Sequence, residues 1–211
     1  MTYLLITFLV VLLVPLFAAT WRTSLLGLSL QGLLLGWIAL RDETAPSWHS
    51  LLVLVDLPIV RGLLVPAYFY RVLKRRKAPA RSDVIAPNFF SWTLAGMLVF
   101  GAFRFAAAVV PAAALDSTQV VTHVAVASSA LALGLFVLGS RNTVVSQAIG
   151  VLRIENAVTL FELADTPRLS LPIHLVVTIV FLAVMLTLGR FFSLLAYSSL
   201  GRNKQRSDIA K

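Results

Sequence analysis

The sequence predicts an all-α integral membrane bundle of about seven transmembrane helices, and three observations lead to it. Of the 211 residues, 59% are hydrophobic and only 13% are charged, and the mean hydropathy is +0.90, a balance far from that of ordinary soluble domains. The apolar residues come in runs of roughly 20, the length at which a helix crosses the hydrocarbon core. Short polar connections separate the runs, which favours antiparallel neighbours in one bundle.

Seven apolar runs follow one another along the chain. The predicted spans are about 2–20, 23–40, 48–73, 87–110, 118–140, 143–164 and 170–198, with a tail at 199–211. No basic segment precedes the first run and no convincing cleavage site follows it, so we expect it to stay as a membrane helix and not to be removed as a signal peptide. Residues 1–211 are therefore predicted to form a single membrane domain.

The cations fall mainly on one side of the membrane if there are seven spans. That side carries Arg22, Arg71, Lys74, Arg75, Arg76, Lys77, Arg81, Arg141, Arg202, Lys204, Arg206 and Lys211. The other side has Arg41 and Arg168 beside acidic residues. The positive-inside rule then predicts a multi-pass protein of the cell's inner (cytoplasmic) membrane, with its amino terminus outside and its carboxy terminus in the cytoplasm. Topology also explains the net charge of +9 without a nucleic-acid partner, although the basic run 71–81 could instead bind anionic lipid or an acidic subunit.

The composition also limits the chemistry. The chain has no cysteine and three histidines, so thiolate metal sites and iron–sulfur ligation are excluded and no metal site is expected. It has no phosphate-binding glycine loop and no nucleophile–base pattern. We therefore predict no cofactor and no catalytic activity of the chain by itself.

Several charges lie inside the predicted spans. With a rise of 1.5 Å per residue, Arg61 and Glu155 fall roughly 18–20 Å into their helices, and Asp56 and Arg153 lie about a turn from that level. Ionisable groups at this depth are costly in lipid and normally face a protein or water-filled interior. Glu155 is therefore the first functional candidate.

The third span contains two prolines, Pro58 and Pro66, with Gly62 between them. This pattern predicts an interrupted helix, tolerated at membrane depth where neighbours satisfy the freed carbonyl groups. Asp56 and Arg61 are five residues apart, which is not a same-face spacing on a regular helix, so we expect their partners on other helices.

Three further groups have open interpretations. Arg190 lies near the cytoplasmic end, where its side chain can snorkel to the interface. Arg104 could serve in an ion pair between helices or in transport. His123 and His174 lie near outer helix ends, where each could be an interfacial hydrogen bonder or pass protons at an exit.

The series Ser140-Arg-Asn, Gln147-Ala-Ile-Gly150 and Ile154-Glu-Asn156 resembles the hydrogenase-4 component E family. The likeness covers nearly the whole chain in length and hydropathy, with specific motifs in the third and sixth spans. The family is akin to the small K subunit of complex I and the C subunit of multisubunit cation/proton antiporters. In K-type subunits the membrane glutamate lies about one turn before an Asn-Ala pair, whereas here that pair directly follows Glu155, so the role is similar and the position is shifted.

The third span carries a second part of the resemblance. Arg61-Gly-Leu-Leu-Val-Pro66 is similar to the family's Lys-x-x-x-x-Pro pattern, with arginine in place of lysine. Because a guanidinium stays charged, Arg61 suits setting a field or holding an acid better than carrying protons. In the last span, His174 and Val180 stand where the family often has acids.

The resemblance implies a non-catalytic membrane subunit of a complex I-like or energy-converting hydrogenase assembly, of the group 4 nickel–iron hydrogenase or formate-hydrogenlyase type. Its partners would be antiporter-like and other membrane subunits within the lipid bilayer, and it would supply scaffold and part of a proton path. The path residues would be Glu155, Arg61, Asp56, Arg153 and His174. Two alternatives stay open: an independent small transporter, and a purely structural subunit, which the missing acids in the last span favour.

Overall fold

The computed structural model describes residues 1–17, 20–41, 48–75, 89–111, 117–140, 144–165, 172 and 174–191. Throughout these ranges the regular structure is helical and no strand occurs, so the predicted all-α class is confirmed. Several features of the sequence lie outside the described residues: the basic residues 76–81, the Arg-Asn pair at 141–142 and the tail 199–211.

Seven membrane-scale helices make up the described chain. They are α1 (Thr2–Phe17), α2 (Trp21–Arg41), α3 (48–75), α4 (Phe89–Val109), α5 (Ser117–Ser140), α6 (Val144–Asp165) and α7 (His174–Phe191). Each lies within or close to one predicted span. By length and composition, α2, α4 and α7 and the greater parts of α3 and α5 could cross a membrane. The remaining two differ because α1 is shorter, with 16 residues, and α6 contains Arg153, Glu155 and Glu162.

Helix α2 lies at the centre of the bundle. It packs against α1, α3 and α6, while α1 also contacts α5, and α5 lies between α4 and α6. Because glycine has no side chain, α2 and α3 approach very closely: a Cβ atom on Gly32 would lie 2.5 Å from the backbone nitrogen of Gly62, and one on Gly36 would lie 2.7 Å from Cδ of Pro58. Small residues four apart are typical of close helix contacts in membranes.

Helix α3 is continuous, and the predicted interruption is wrong. Its α-helical ends, Trp48–Leu54 and Val65–Arg75, flank a π-helical stretch, Val55–Leu64, that contains Pro58. At the end of this stretch the N–H of Val65 donates to the carbonyl of Val60, five residues earlier. The chain thus accommodates the proline by widening its turns to i→i+5 hydrogen bonding, without ending the helix.

Along α2, α3 and α6, two apolar clusters occupy opposite halves of the bundle. One contains residues from the beginnings of α1 and α3 and the ends of α2 and α6, including Leu5, Leu35, Leu57 and Leu160, and it also extends along most of α5. The other contains residues from the beginnings of α2 and α6 and the ends of α3 and α7, including Leu25, Phe69, Leu152 and Phe181. Between the two clusters, each of the helices α2, α3 and α6 carries polar side chains into the interior.

Candidate functional site: a polar layer between two apolar clusters

The interior positions between the clusters hold amide and charged side chains, which we call the polar layer. Its members are Gln31 of α2, Asp56 and Arg61 of α3, and Arg153 and Asn156 of α6. Two of them are guanidinium groups almost wholly removed from the surface, since Arg61 is 1% exposed and Arg153 is 2% exposed. Charged side chains this deeply buried require compensating partners, so the layer is the first place to look for function.

Asp56 and Arg61 form an ion pair with each other. Arg61 Nε donates to Asp56 Oδ2 at 3.2 Å, and both side chains are buried. The expectation that the two would find their main partners on other helices is wrong for Arg61. Its physical basis, the spacing of a regular α-helix, does not apply in the π-helical stretch, where residues five apart follow one another on the same side.

The carboxylate of Asp56 also receives contacts from α7. The hydroxyl of Thr178 donates to Oδ2 at 3.0 Å, and Nε2 of His174 lies 3.8 Å from the same oxygen. The other ring nitrogen of His174, Nδ1, lies 3.5 Å from Oε1 of Glu162 on α6. A line of ionisable side chains, Glu162–His174–Asp56–Arg61, therefore runs from the end of α6 to the middle of α3 by way of α7, and its two contacts through His174 are longer than hydrogen bonds.

The guanidinium of Arg61 is held by an aromatic ring as well as by the carboxylate. Its Cζ lies 4.1 Å from the centre of the Phe181 ring on α7, a cation–π contact. Its Nη1 and Nη2 atoms are buried without a hydrogen-bond acceptor in the described ranges. Glu155 and Glu162 on α6 are both close enough to attract this cation.

Glu155 is half-buried on α6. Within the described part of the chain it does not reach a direct ion pair with Arg61, so the two are joined by electrostatic attraction alone. Its own backbone carbonyl accepts a hydrogen bond from the hydroxyl of Thr159. Glu155 is thus the acid nearest the centre of α6, and Arg61 attracts it without a direct contact between them.

Two amides cross the layer from α2 to α6. Asn156 Nδ2 donates to Gln31 Oε1 at 3.5 Å. The remaining polar atoms, Gln31 Nε2 and Asn156 Oδ1, are buried without hydrogen-bond partners in the described chain. Buried polar atoms of this kind are rare in folded proteins, and here they give the polar layer one further donor and one further acceptor.

The five predicted site residues have different positions. The structure brings Asp56, Arg61 and His174 together, and it places Glu155 within electrostatic reach of Arg61. Arg153 is buried on α6, three residues before Asn156. Arg104, in contrast, is exposed on α4, so it does not join the bundle helices as an interior ion pair.

Five residues of the site are not among those predicted from the sequence: Gln31, Asn156, Glu162, Thr178 and Phe181. For the residues on α7, their spacing in the sequence was a usable signal. His174, Thr178 and Phe181 occupy positions i, i+4 and i+7, which share one face of a helix. Gln31 is a lone amide in an apolar span and adjoins Gly32, the point of closest approach to α3.

The site combines carboxylates and an imidazole with a fixed cation. An imidazole changes its charge near neutral pH and can pass protons between neighbouring carboxylates. In the described ranges no group of three or more His, Cys, Asp or Glu side chains has the arrangement of a metal site. Two carboxylates on either side of an imidazole form an arrangement that is suited to proton exchange.

No family model, characterised protein or solved structure matches the chain. The resemblance to hydrogenase-4 component E accordingly stays an expectation based on a few short motifs.

Proposed function

We propose that this protein is a non-catalytic membrane subunit of a complex I-like or energy-converting hydrogenase-type assembly, in which it supplies scaffold and part of a proton path. The observation that carries the proposal is the line Glu162–His174–Asp56–Arg61, with Glu155 beside it. The line passes from the end of α6 towards the middle of the bundle, where ionisable groups are rare unless they serve transport.

Each member of the line has a separate role in the proposal. Glu162, His174 and Asp56 form the relay of the proposal, and their separations of 3.5 Å and 3.8 Å would have to shorten to hydrogen-bond length during transfer. Arg61 keeps its charge, so it holds Asp56 in place and attracts Glu155. Glu155 then responds to the charge state of its neighbours, because the charge of Arg61 is buried and electrostatic interactions are stronger there than in water.

The outer helices leave room for partner subunits. Only 17% of the apolar window of α4 and 11% of that of α7 are buried in the bundle. Most of both helices is therefore available to lipid or to neighbouring membrane subunits. An accessory subunit needs such faces, and antiporter-like subunits are the partners that the sequence resemblance implies.

The decisive variant is Glu155→Gln, which preserves size and removes the charge. Its matched control is Glu155→Asp, which keeps a carboxylate at the same position. Both are introduced into the chromosomal copy with an affinity tag, and the host complex is tested for co-purifying subunits and for proton movement in inverted membrane vesicles. We expect both variants to assemble, with proton movement strongly impaired only in Glu155→Gln. Full proton movement in an assembled Glu155→Gln complex would remove Glu155 from the path.

A purely structural subunit is the second candidate, and one observation favours it. Asp56 receives Arg61 from its own helix and Thr178 from α7, so the same contacts also fasten α7 to α3. Asp56→Asn distinguishes the two roles because it retains hydrogen-bonding capacity and loses proton exchange. A structural role predicts normal proton movement in the assembled Asp56→Asn complex, whereas a path role predicts its loss.

A further inference from the structure

A groove with a volume of about 500 Å³ lies between α3 and α7 on the outside of the bundle. Its walls are aliphatic side chains of both helices, including Leu64 and Leu186, which are 57% and 69% exposed. Among its described lining residues, the polar groups are confined to one end, where Tyr68 and Arg190 lie. The groove is thus a long apolar trough with a hydroxyl and a cation at a single end.

The polar end is built by close contact between the two helices. A Cβ atom on Gly189 would lie 2.8 Å from the hydroxyl oxygen of Tyr68. The absence of a side chain at Gly189 therefore lets this hydroxyl lie directly against α7, next to Arg190 in the sequence. The groove's hydroxyl donor and its arginine are held at the same level of the bundle.

More cations continue beyond this end. On α3, Arg71 follows Tyr68 by three residues, one turn farther along the same side, and both Arg71 and Lys74 are exposed. The described acidic side chains lie elsewhere: Glu155 is near the middle of α6, Asp56 belongs to the polar layer, and Glu162 lies near the end of α6. The groove therefore leads from an apolar wall into a region of positive charge.

We propose that this groove is a binding site for an anionic phospholipid. One acyl chain lies along Leu64 and Leu186, and the phosphate is bound by Arg190 and the Tyr68 hydroxyl. An arginine binds phosphate through charge-assisted hydrogen bonds, and nearby lysine and arginine side chains favour an anionic headgroup. This site does not depend on the proposed proton path. The lipid would hold α7 against α3, the contact that brings Thr178 and Phe181 to Asp56 and Arg61.

The test compares lipid affinities of the delipidated full-length protein in detergent, measured by native mass spectrometry during titration with palmitoyl-oleoyl phosphatidylglycerol or the corresponding phosphatidylcholine. Wild type is expected to prefer phosphatidylglycerol. Arg190→Gln should lower its affinity for phosphatidylglycerol about fivefold, the effect of one cation at a charged lipid surface. Arg190→Lys should retain the preference, and Arg104→Gln, which removes an exposed cation on α4, should equal wild type.

A second pair of variants tests the apolar wall without removing charge. Leu64→Trp fills the groove, whereas Leu63→Trp adds the same bulk at a neighbouring position that is 52% exposed and does not line the groove. We expect phosphatidylglycerol binding to weaken in Leu64→Trp alone.

Three outcomes would overturn the lipid site. In the first, wild type binds the two lipids with equal affinity. In the second, Arg190→Gln and Arg104→Gln bind phosphatidylglycerol equally well, and in the third, the two tryptophan variants do so. Displacement of the lipid by glycerol 3-phosphate at similar concentration would also overturn it, because the pocket would then recognise a free anion and not an acyl chain.

Discussion

The carboxylate of Asp56 and the guanidinium of Arg61 face each other at 3.2 Å although they are five residues apart on one helix. The pairing exists because α3 adopts π-helical geometry at this point. It also depends on α2, whose Gly32 and Gly36 leave space for the widened helix. Single-turn or short π-helical segments occur frequently at functional sites, and here one creates the central ion pair of the polar layer.

The first prediction concerns the coupling of this pair. Arg61→Gln leaves a buried carboxylate without its cation and should lower the free energy of unfolding by about 3–5 kcal/mol. The double variant Asp56→Asn with Arg61→Gln should recover most of that loss, because both charges are gone. Stability is measured by unfolding the purified protein in increasing sodium dodecyl sulfate, with Arg104→Gln as the exposed control, expected within about 0.5 kcal/mol of wild type. Asp56→Asn is measured as the second single variant. If the loss of stability in the double variant equals the sum of the losses in the two single variants, the pair is not coupled.

The second prediction concerns the contact of α2 with α3. Gly32→Ala places a Cβ atom against the backbone of Gly62, so the helices must separate, and we expect a loss of about 1–3 kcal/mol in the same unfolding experiment. Gly96→Ala on α4 is the matched control, because a Cβ there meets nothing within 4 Å. Equal stability of the two variants would contradict the close approach.

The sequence predicted the seven helices because apolar runs of membrane length are a strong signal. It did not predict the π-helical stretch, since Pro58 taken alone indicates an interruption. The space that the widened helix needs is left by glycines of a different helix, α2. Nor could it pair Gln31 with Asn156, which are 125 residues apart, without knowledge of which helices are neighbours. The spacing of residues can identify those that share one helix face, such as His174 and Thr178. It cannot identify contacts between different helices.

The third prediction tests the subunit proposal through Arg104. This arginine is exposed on α4 beside Phe100 and Phe105, which are 69% and 54% exposed, and it has no ion pair in the described part of the chain. A neighbouring subunit that presents a carboxylate would satisfy it. Arg104→Gln should then reduce the recovery of membrane partners from mild-detergent extracts several-fold, while Arg22→Gln, at a helix beginning, leaves it unchanged. Undiminished recovery with Arg104→Gln would exclude this face as the contact.

The fourth prediction is the orientation in the membrane. Because the chain has no cysteine, a single introduced cysteine is the sole reactive thiol. In right-side-out vesicles, Trp48→Cys at the start of α3 should react with an impermeant maleimide, and Lys74→Cys at its other end should be protected until the vesicles are opened. Lys77, outside the described residues, belongs to the same basic segment and should behave like Lys74. Labelling of Lys74→Cys in sealed vesicles would reverse the predicted topology.

The contacts to Asp56 come from two helices, its own helix α3 and the peripheral helix α7. Arg61 is on the same helix as Asp56, so this pair survives any relative movement of the other helices. Thr178 and His174 both come from α7, and a rotation of that helix by one residue, about 100°, would withdraw them from Asp56 together. Such a rotation would disconnect Glu162 from the middle of the bundle without breaking the buried ion pair, so the position of a single peripheral helix determines whether the line is continuous.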